Sequence, residues 1–134
     1  MSLSSIHRGL VPAVLALLFA GPLAQSAAAQ DKVYEMSEVQ TVPKLSSATM
    51  AARLIQESYP EDLKRRGVGG MVELAFVVDA KGKVDPASVQ VTDATQTALG
   101  EAAKKVVSRL DFQPGKVNGA GVKTKVVLPI IYKP

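Results

Sequence analysis

The chain has 134 residues, of which 47% are hydrophobic, a formal net charge of +4 and no cysteine. The length fits one domain, and the lack of cysteine excludes disulfide scaffolds, cysteine-ligated zinc, iron–sulfur clusters and thiol catalysis. The single histidine, His7, precedes a long apolar run, so removal of that run would leave no histidine for a catalytic triad or a histidine-ligated zinc site. We therefore expect a protein that is not an enzyme, with no catalytic residue, no metal and no cofactor.

Residues 1–29 have the order of a secretory signal peptide. Arg8 supplies a positive charge, residues 10–20 are an apolar run, and three alanines ending at Ala29 offer small residues to a signal peptidase. A membrane-spanning helix needs about 20 apolar residues, and a segment of that length here would have to include Pro22. We expect cleavage near Ala29 and export of the mature chain. The alternative is that residues 9–29 are retained as a membrane anchor.

The charge of the remaining chain is uneven. Residues 30–101 contain 8 Lys/Arg and 11 Asp/Glu, a net charge of −3, whereas residues 102–134 contain 7 Lys/Arg and 1 Asp, a net charge of +6. A basic C-terminal quarter is suited to an acidic partner or an anionic polymer. An ordinary solvated charged face is the alternative.

Two helices are predicted, with a short helical turn between them. Residues 30–46 are interpreted as an arm or linker in which Val33 to Met36 could form a short strand, and the domain itself as residues 47–134. Serine caps and an apolar face predict a helix from about Ser47 to Glu57, which Tyr59-Pro60 interrupts. A helical turn follows Pro60, and an apolar repeat from Leu99 to Leu110 predicts the second helix.

Three strands are predicted from alternating apolar residues. They are Gly70–Asp79, Val84–Thr92 and Val122–Tyr132. Pro86 lies within the second, which should therefore be an edge strand or carry a bulge. Asp79 and Asp85 flank the first turn without the alternating ligands of a calcium loop. The order α-β-β-α-β predicts an α+β fold, a three-stranded antiparallel sheet with two helices on one face and with Phe76 and Phe112 in the core.

A series of short motifs spreads over residues 47–132. The motifs are Gln56-x-x-Tyr59-Pro60, Gly70-x-Val72, Phe76-x-Val78, Gly82-x-Val84, Arg109-x-x-Phe112-x-Pro114-Gly115-Lys116 and Leu128-Pro129-Ile130. In this order and spacing they resemble the C-terminal domain family of TonB, the periplasmic energy transducer of Gram-negative bacteria. The resemblance implies the same fold, a small antiparallel sheet covered on one face by two helices.

The resemblance also implies a function in transport across the outer membrane. TonB binds outer-membrane receptors by pairing the edge of its last strand with their short "TonB box" peptide, a form of β-augmentation. The resemblance suggests that Gln56, Tyr59 and Pro60 shape the peptide-binding surface. For Tyr59-Pro60 the alternative is a helix-to-turn joint with a packed tyrosine, and for Gln56 a solvent-facing helical residue.

The last strand itself supplies three more candidate residues. Proline has no N–H, so Pro129 must lie where that group would point away from the neighbouring strand. Val127 and Ile131 share its parity and would present their backbone groups at the open edge. Lys123, Lys125 and Lys133 either attract an acidic peptide or guard the edge against aggregation.

Two departures from the TonB pattern bear on the function. TonB keeps an N-terminal anchor that couples to ExbB and ExbD, and a long proline-rich spacer, whereas here the apolar run has a cleavable pattern and residues 30–46 contain only Pro43. Together, the resemblance and these departures imply a stand-alone binding module in the periplasm. Its expected partner is a receptor peptide or another envelope protein, with no nucleic acid and no small-molecule substrate. The alternatives are an energy transducer anchored in the inner membrane by residues 9–29, on its periplasmic side, and a structural, self-associating protein, including a homodimer.

We expect the mature protein to begin near Gln30, because residues 10–20 are too short to span a bilayer and small residues precede the expected cleavage site. The intact mass of the protein purified from cells, together with membrane fractionation, checks this. A full-length protein that resists carbonate extraction would instead favour the anchored transducer.

Overall fold

The structure, a computed structural model, describes residues 32–134, so the expected signal peptide and its cleavage site lie outside the described residues. These residues form seven strands and three α-helices: β1 Val33–Tyr34, β2 Lys44–Leu45, α1 Ala48–Glu57, α2 Glu61–Arg65, β3 Gly70–Val78, β4 Gln90–Ala94, α3 Thr97–Val107, β5 Phe112–Gln113, β6 Gly115–Val117 and β7 Ala120–Tyr132. Two 3-10 helices cover Met36–Glu38 and Pro86–Ser88. Within the described part of the chain, no helix is both long and apolar enough to cross a membrane.

The main sheet has five strands, with β7 in its interior. The order is β1-β7-β3-β4, and β6 also pairs with β7. β3 and β7 form the longest ladder, antiparallel from Gly70–Tyr132 to Val78–Thr124. β2 and β5 form a separate two-stranded sheet. The α+β class and the three central antiparallel strands confirm the predicted fold. β2, β5 and β6 were not predicted, because strands of two or three residues are too short to show an alternating pattern.

Capping residues and a glycine mark the ends of the first two helices. The Ser47 hydroxyl accepts a hydrogen bond from the Met50 N–H at 3.1 Å and caps α1. Pro60 is the N-cap of α2, and Gly67 follows that helix with a φ of +70°, a backbone conformation that glycine adopts without strain. α3 begins after Gln96 without a side-chain cap.

Pro86 has the effect that its chemistry predicts. It begins the 3-10 helix Pro86–Ser88, which divides the strand expected over Val84–Thr92: Val84 forms only an isolated bridge with Val78, and the continuous strand begins at Gln90. β4 follows at the edge of the sheet, and its register with β3 shifts between Glu73 and Leu74. β4 is therefore both an edge strand and irregular, as predicted for the segment Val84–Thr92 because it contains Pro86.

The core lies between the sheet and the helices. The inward side chains of β3 and β7 pack against α1 and α3, and the largest fully buried side chains are Tyr132, Phe76, Leu74, Leu99 and Ile130. Phe76 is 1% and Phe112 6% exposed, and their ring centroids lie 5.6 Å apart. Both phenylalanines are core residues, as the sequence predicts.

We expect Phe76→Ala and Phe112→Ala each to lower the free energy of unfolding by about 3–5 kcal/mol, because each leaves a cavity that the close-packed core cannot refill. Val127→Ala, at an exposed position, is the matched control, and we expect it to change stability by no more than about 0.5 kcal/mol. Urea unfolding of the three variants tests this. Unchanged stability in both phenylalanine variants would contradict the assignment of the core.

Candidate functional site

One edge of β7 is open over most of its length. β3 pairs with one side of β7 along Thr124–Tyr132. On the other side, β1 pairs only with Lys123 and Thr124. Within residues 32–134, no strand pairs with that side of β7 from Lys125 to Tyr132. A strand edge of this kind presents unpaired N–H and C=O groups to which a further strand can bind.

The hydrogen bonds of β3 show which residues of β7 face this open edge. The Thr95 N–H donates to the Met71 C=O at 3.0 Å, and the Asp85 N–H donates to the Val77 C=O at 2.9 Å. Odd-numbered residues of β3 therefore direct their backbone groups towards the β4 side. In an antiparallel sheet this direction alternates along the strand, so the even-numbered residues of β3 bond to β7.

The register with β3 carries this parity over to β7. Phe76 of β3 lies opposite Val126 of β7, and Glu73 lies opposite Pro129. Even-numbered residues of β7 therefore bond to β3, while Val127, Pro129 and Ile131 direct their backbone groups to the open edge. Pro129 interrupts no bond within the sheet, because the N–H that it lacks would have pointed to solvent.

The side chains of the same residues form an apolar strip on the face of the sheet that the helices do not cover. Val127 is 52% and Ile131 56% exposed, and Met71 of β3, which lies opposite Ile131, is 41% exposed. A strand that paired with the open edge would place every second side chain beside this strip.

Tyr59 lies inside the domain. Its side chain is 4% exposed, its hydroxyl donates to the Val68 C=O at 2.7 Å, and its ring packs edge-on against Tyr132 with 5.2 Å between centroids. Through this contact Tyr59 supports the C-terminal end of β7 from within, and it has little surface to offer a peptide directly. The structure therefore has the packed tyrosine that the sequence left as the alternative.

Gln56 and Pro60 lie on either side of Ser58 and Tyr59, in the helix joint that connects α1 to α2. Gln56 is exposed near the end of α1, and Pro60 is half-buried. Between them, the Ser58 hydroxyl lies 2.9 Å from the Tyr132 hydroxyl. The six residues singled out from the sequence thus form two groups, one along the β7 edge and one at the helix joint, and Tyr132 connects them.

Ser58 and Tyr132 are parts of this site that the sequence did not single out. Tyr132 alternates in step with the inward-facing residues of the last strand, so the sequence indicates that it is buried. The sequence does not indicate that Tyr132 contacts the connection between α1 and α2. The Ser58 hydroxyl also donates to the Ile55 C=O at 2.6 Å. Burial raises the pKa of the Tyr132 phenol, and the hydrogen bond with Ser58 acts in the opposite direction.

Positive charge borders the open edge. Ion pairs among residues 32–134 engage Lys32, Arg53, Arg65, Arg66 and Lys83, and none engages Lys125 or Lys133. Both of these lysines are exposed, and they stand at the two ends of the open segment. Their charges are free to interact with an acidic partner. They also oppose edge-to-edge pairing with the β7 strand of another copy, because like charges would be brought together.

The fold and the edge together define a small α+β domain whose C-terminal strand is open to pairing. The family model described as Gram-negative bacterial TonB protein C-terminal matches residues 55–134, more than half of the chain. The chain therefore belongs to the TonB C-terminal family. This family is associated with TonB-dependent transport and interacts with outer-membrane receptors, and its C-terminal domain is a non-enzymatic interaction domain.

The solved structures that are similar to this chain include three TonB proteins or domains. The TonB C-terminal domain of Pseudomonas aeruginosa is 21% identical, with a TM-score of 0.48 over 57% of this chain and 76% of that chain. That of Helicobacter pylori is 21% identical, with a TM-score of 0.37 over 66% and 85%. The TonB2 protein of Vibrio anguillarum is 19% identical, with a TM-score of 0.40 over 95% and 96%. No curated protein matches the chain.

We expect the protein to lose stability at alkaline pH partly through Tyr132. Because burial raises the folded-state pKa of this phenol above its unfolded value of about 10, its contribution is fully present below about pH 10 and is lost as the pH rises through the folded-state pKa. Tyr132→Phe should therefore flatten the alkaline fall in the free energy of unfolding. Tyr34→Phe, in the N-terminal segment, is the control, and the prediction fails if both variants keep the wild-type slope.

Proposed function

We propose that this protein is a non-enzymatic periplasmic binding module that pairs the open edge of β7 with an extended peptide of a TonB-dependent outer-membrane transporter. The observation that carries the proposal is the eight-residue segment Lys125–Tyr132, whose outward backbone groups have no partner strand within residues 32–134. In this mode of recognition, main-chain hydrogen bonds supply the affinity and alternate side chains supply the selectivity.

The proposed peptide makes its main bonds on either side of Pro129. Val127 and Ile131 each offer an N–H and a C=O to it, whereas Pro129 offers only its C=O. A peptide strand therefore loses one ladder bond at Pro129. Its side chains on the outer face lie beside Val127 and Ile131, which are more than half exposed in the free protein.

The helix joint shapes the far end of the proposed site. Gln56 and Pro60 flank Ser58 and Tyr59, which contact Tyr132 at the end of β7, and both have exposed surface for peptide side chains on the helix side. Tyr59 acts through Tyr132, whose position it supports by ring packing at 5.2 Å. In this proposal Tyr59 is a positioning residue, and Gln56 and Pro60 are contact residues.

The same edge also suits self-association, because a second copy of β7 could pair with it. Pro129 and the exposed Lys125 oppose this, since proline and lysine on an edge strand are devices that block edge-to-edge pairing. The oligomeric state in solution separates the two functions: a transporter-binding module is a monomer that becomes a heterocomplex with peptide, whereas a structural protein is an oligomer without it.

We expect Val127→Pro to weaken peptide binding at least tenfold while the domain stays folded, because the lost N–H faces the open edge. Val126→Pro should unfold the domain or destabilise it by about 3 kcal/mol or more, because the lost N–H belongs to the ladder with β3 and the side chain is buried. Calorimetric titration with synthetic periplasmic segments of the transporters of the source bacterium, with a thermal melt of each variant, measures both effects.

Val127→Ala is the matched control, since it keeps the N–H and removes only side-chain area. It should bind with at most a small loss of affinity. The proposed edge is wrong if Val127→Pro unfolds the domain while Val126→Pro does not, or if Val127→Pro binds as tightly as the wild-type protein.

A further inference from the structure

The N-terminal arm, residues 32–41, lies on the same edge of the sheet as the open segment of β7. β1 pairs in parallel with β7, with Val33 opposite Lys123 and Tyr34 opposite Thr124. The strand order places β1 on the side of β7 away from β3. β1 and the open segment Lys125–Tyr132 therefore lie end to end along one line.

A second set of hydrogen bonds fastens the arm to the β6–β7 hairpin. The N–H groups of Gln40 and Thr41 donate to the Lys116 C=O at 2.9 and 3.2 Å, and the Lys116 N–H donates to the Thr41 C=O at 2.9 Å. The Asn118 N–H, at the hairpin turn, donates to the side-chain oxygen of Gln40 at 2.7 Å. The arm is thus held at two places, by β1 on β7 and by residues 40–41 on β6.

Between these two places the pairing of the arm with β7 ends at Tyr34, and a 3-10 turn follows. The Glu35 N–H donates to the Glu38 carboxylate at 2.7 Å, and the Glu38 N–H donates to the Glu35 C=O at 2.9 Å. These bonds close the 3-10 turn Met36–Glu38, which lies against β7. Because β1 runs parallel to β7, this turn comes where a longer β1 would continue beside Lys125.

We propose that the N-terminal arm is a stop that fixes the length and register of the partner peptide, an inference that rests on the proposed function. A peptide strand pairs with β7 between Lys125 and Tyr132 and does not slide towards Lys123, because β1 already occupies that part of the edge. A slip of one residue would move every peptide side chain to the opposite face of the sheet. The stop therefore keeps the same peptide side chains beside Val127 and Ile131.

The proposal predicts how affinity depends on peptide length. With the arm in place, a peptide that covers Lys125–Tyr132 already fills the open segment, and residues that extend it towards Lys123 meet β1 and gain no ladder bond. With β1 detached, the edge extends to Lys123 and a longer peptide gains about two ladder bonds. With two additional hydrogen bonds, the longer peptide should then bind about tenfold more tightly.

The experiment compares two acetylated, amidated probes of alternating threonine and valine, one of eight residues, the length of the open segment, and one of eleven residues. Each probe is titrated into the wild-type protein purified from cells. Each is also titrated into the double variant Val33→Pro with Tyr34→Pro, which lacks both backbone N–H donors of β1. Lys32→Ala is the control, because it removes the ion pair with Glu38 and the ammonium above the Tyr34 ring but leaves the β1 backbone intact. A thermal melt shows that each variant is folded.

We expect the two probes to bind the wild-type and Lys32→Ala proteins equally, and the longer probe to bind the double variant about tenfold more tightly than the shorter one. Equal affinities in the double variant overturn the stop but leave the proposed function standing. If the double variant binds the short probe much more tightly than the wild-type protein does, the stop is also overturned. The arm would then compete with the peptide for the same part of β7 instead of limiting its length. Wild-type protein that binds neither probe overturns both proposals.

Discussion

The antiparallel ladder between β3 and β7 is the constraint on which the rest of the structure depends. In such a ladder, both the face on which a side chain lies and the neighbour to which its backbone bonds alternate with the same period of two. Val126 and Ile130 are buried under the helices, and the same alternation directs their backbone N–H and C=O groups to β3. The alternate residues Val127, Pro129 and Ile131 therefore have both an exposed side chain and backbone groups that face the open edge. One register thus sets the composition of the core and the chemistry of the open edge.

The joint between α1 and α2 holds the far end of that ladder in place. Tyr59 and Tyr132 pack edge-on, and their hydroxyls each find a separate partner, the Val68 C=O and the Ser58 hydroxyl. Two buried phenols with satisfied hydrogen bonds specify position more sharply than apolar packing alone, because an unsatisfied hydroxyl would be costly there. The end of β7 is therefore oriented by polar contacts, whereas its middle is oriented by apolar ones.

The long elements and the parity of the edge could be predicted from the sequence, and the short elements could not. Gly70–Val78 and the last strand show a clear alternation, and Pro129 alone indicates which residues face outward. The burial of Tyr59 could not be predicted, because a tyrosine before proline has the same local pattern at a surface or in a core. The pairing of β1 was also beyond prediction, because its partner Lys123 lies 90 residues away (123 − 33) and two residues carry no periodic signal.

The position of β7 has a consequence for the order of folding. The strand is the last element of the chain, yet it lies in the interior of the sheet, between β1 and β3. Residues 32–119 alone would lack the partner of β3 and the buried side chains of Val126, Ile130 and Tyr132. Most of the sheet can therefore form only after the C-terminal residues are available, and contacts so distant in sequence form slowly. For an exported chain, as proposed here, the ladder with β3 can form only once β7 has also crossed the membrane.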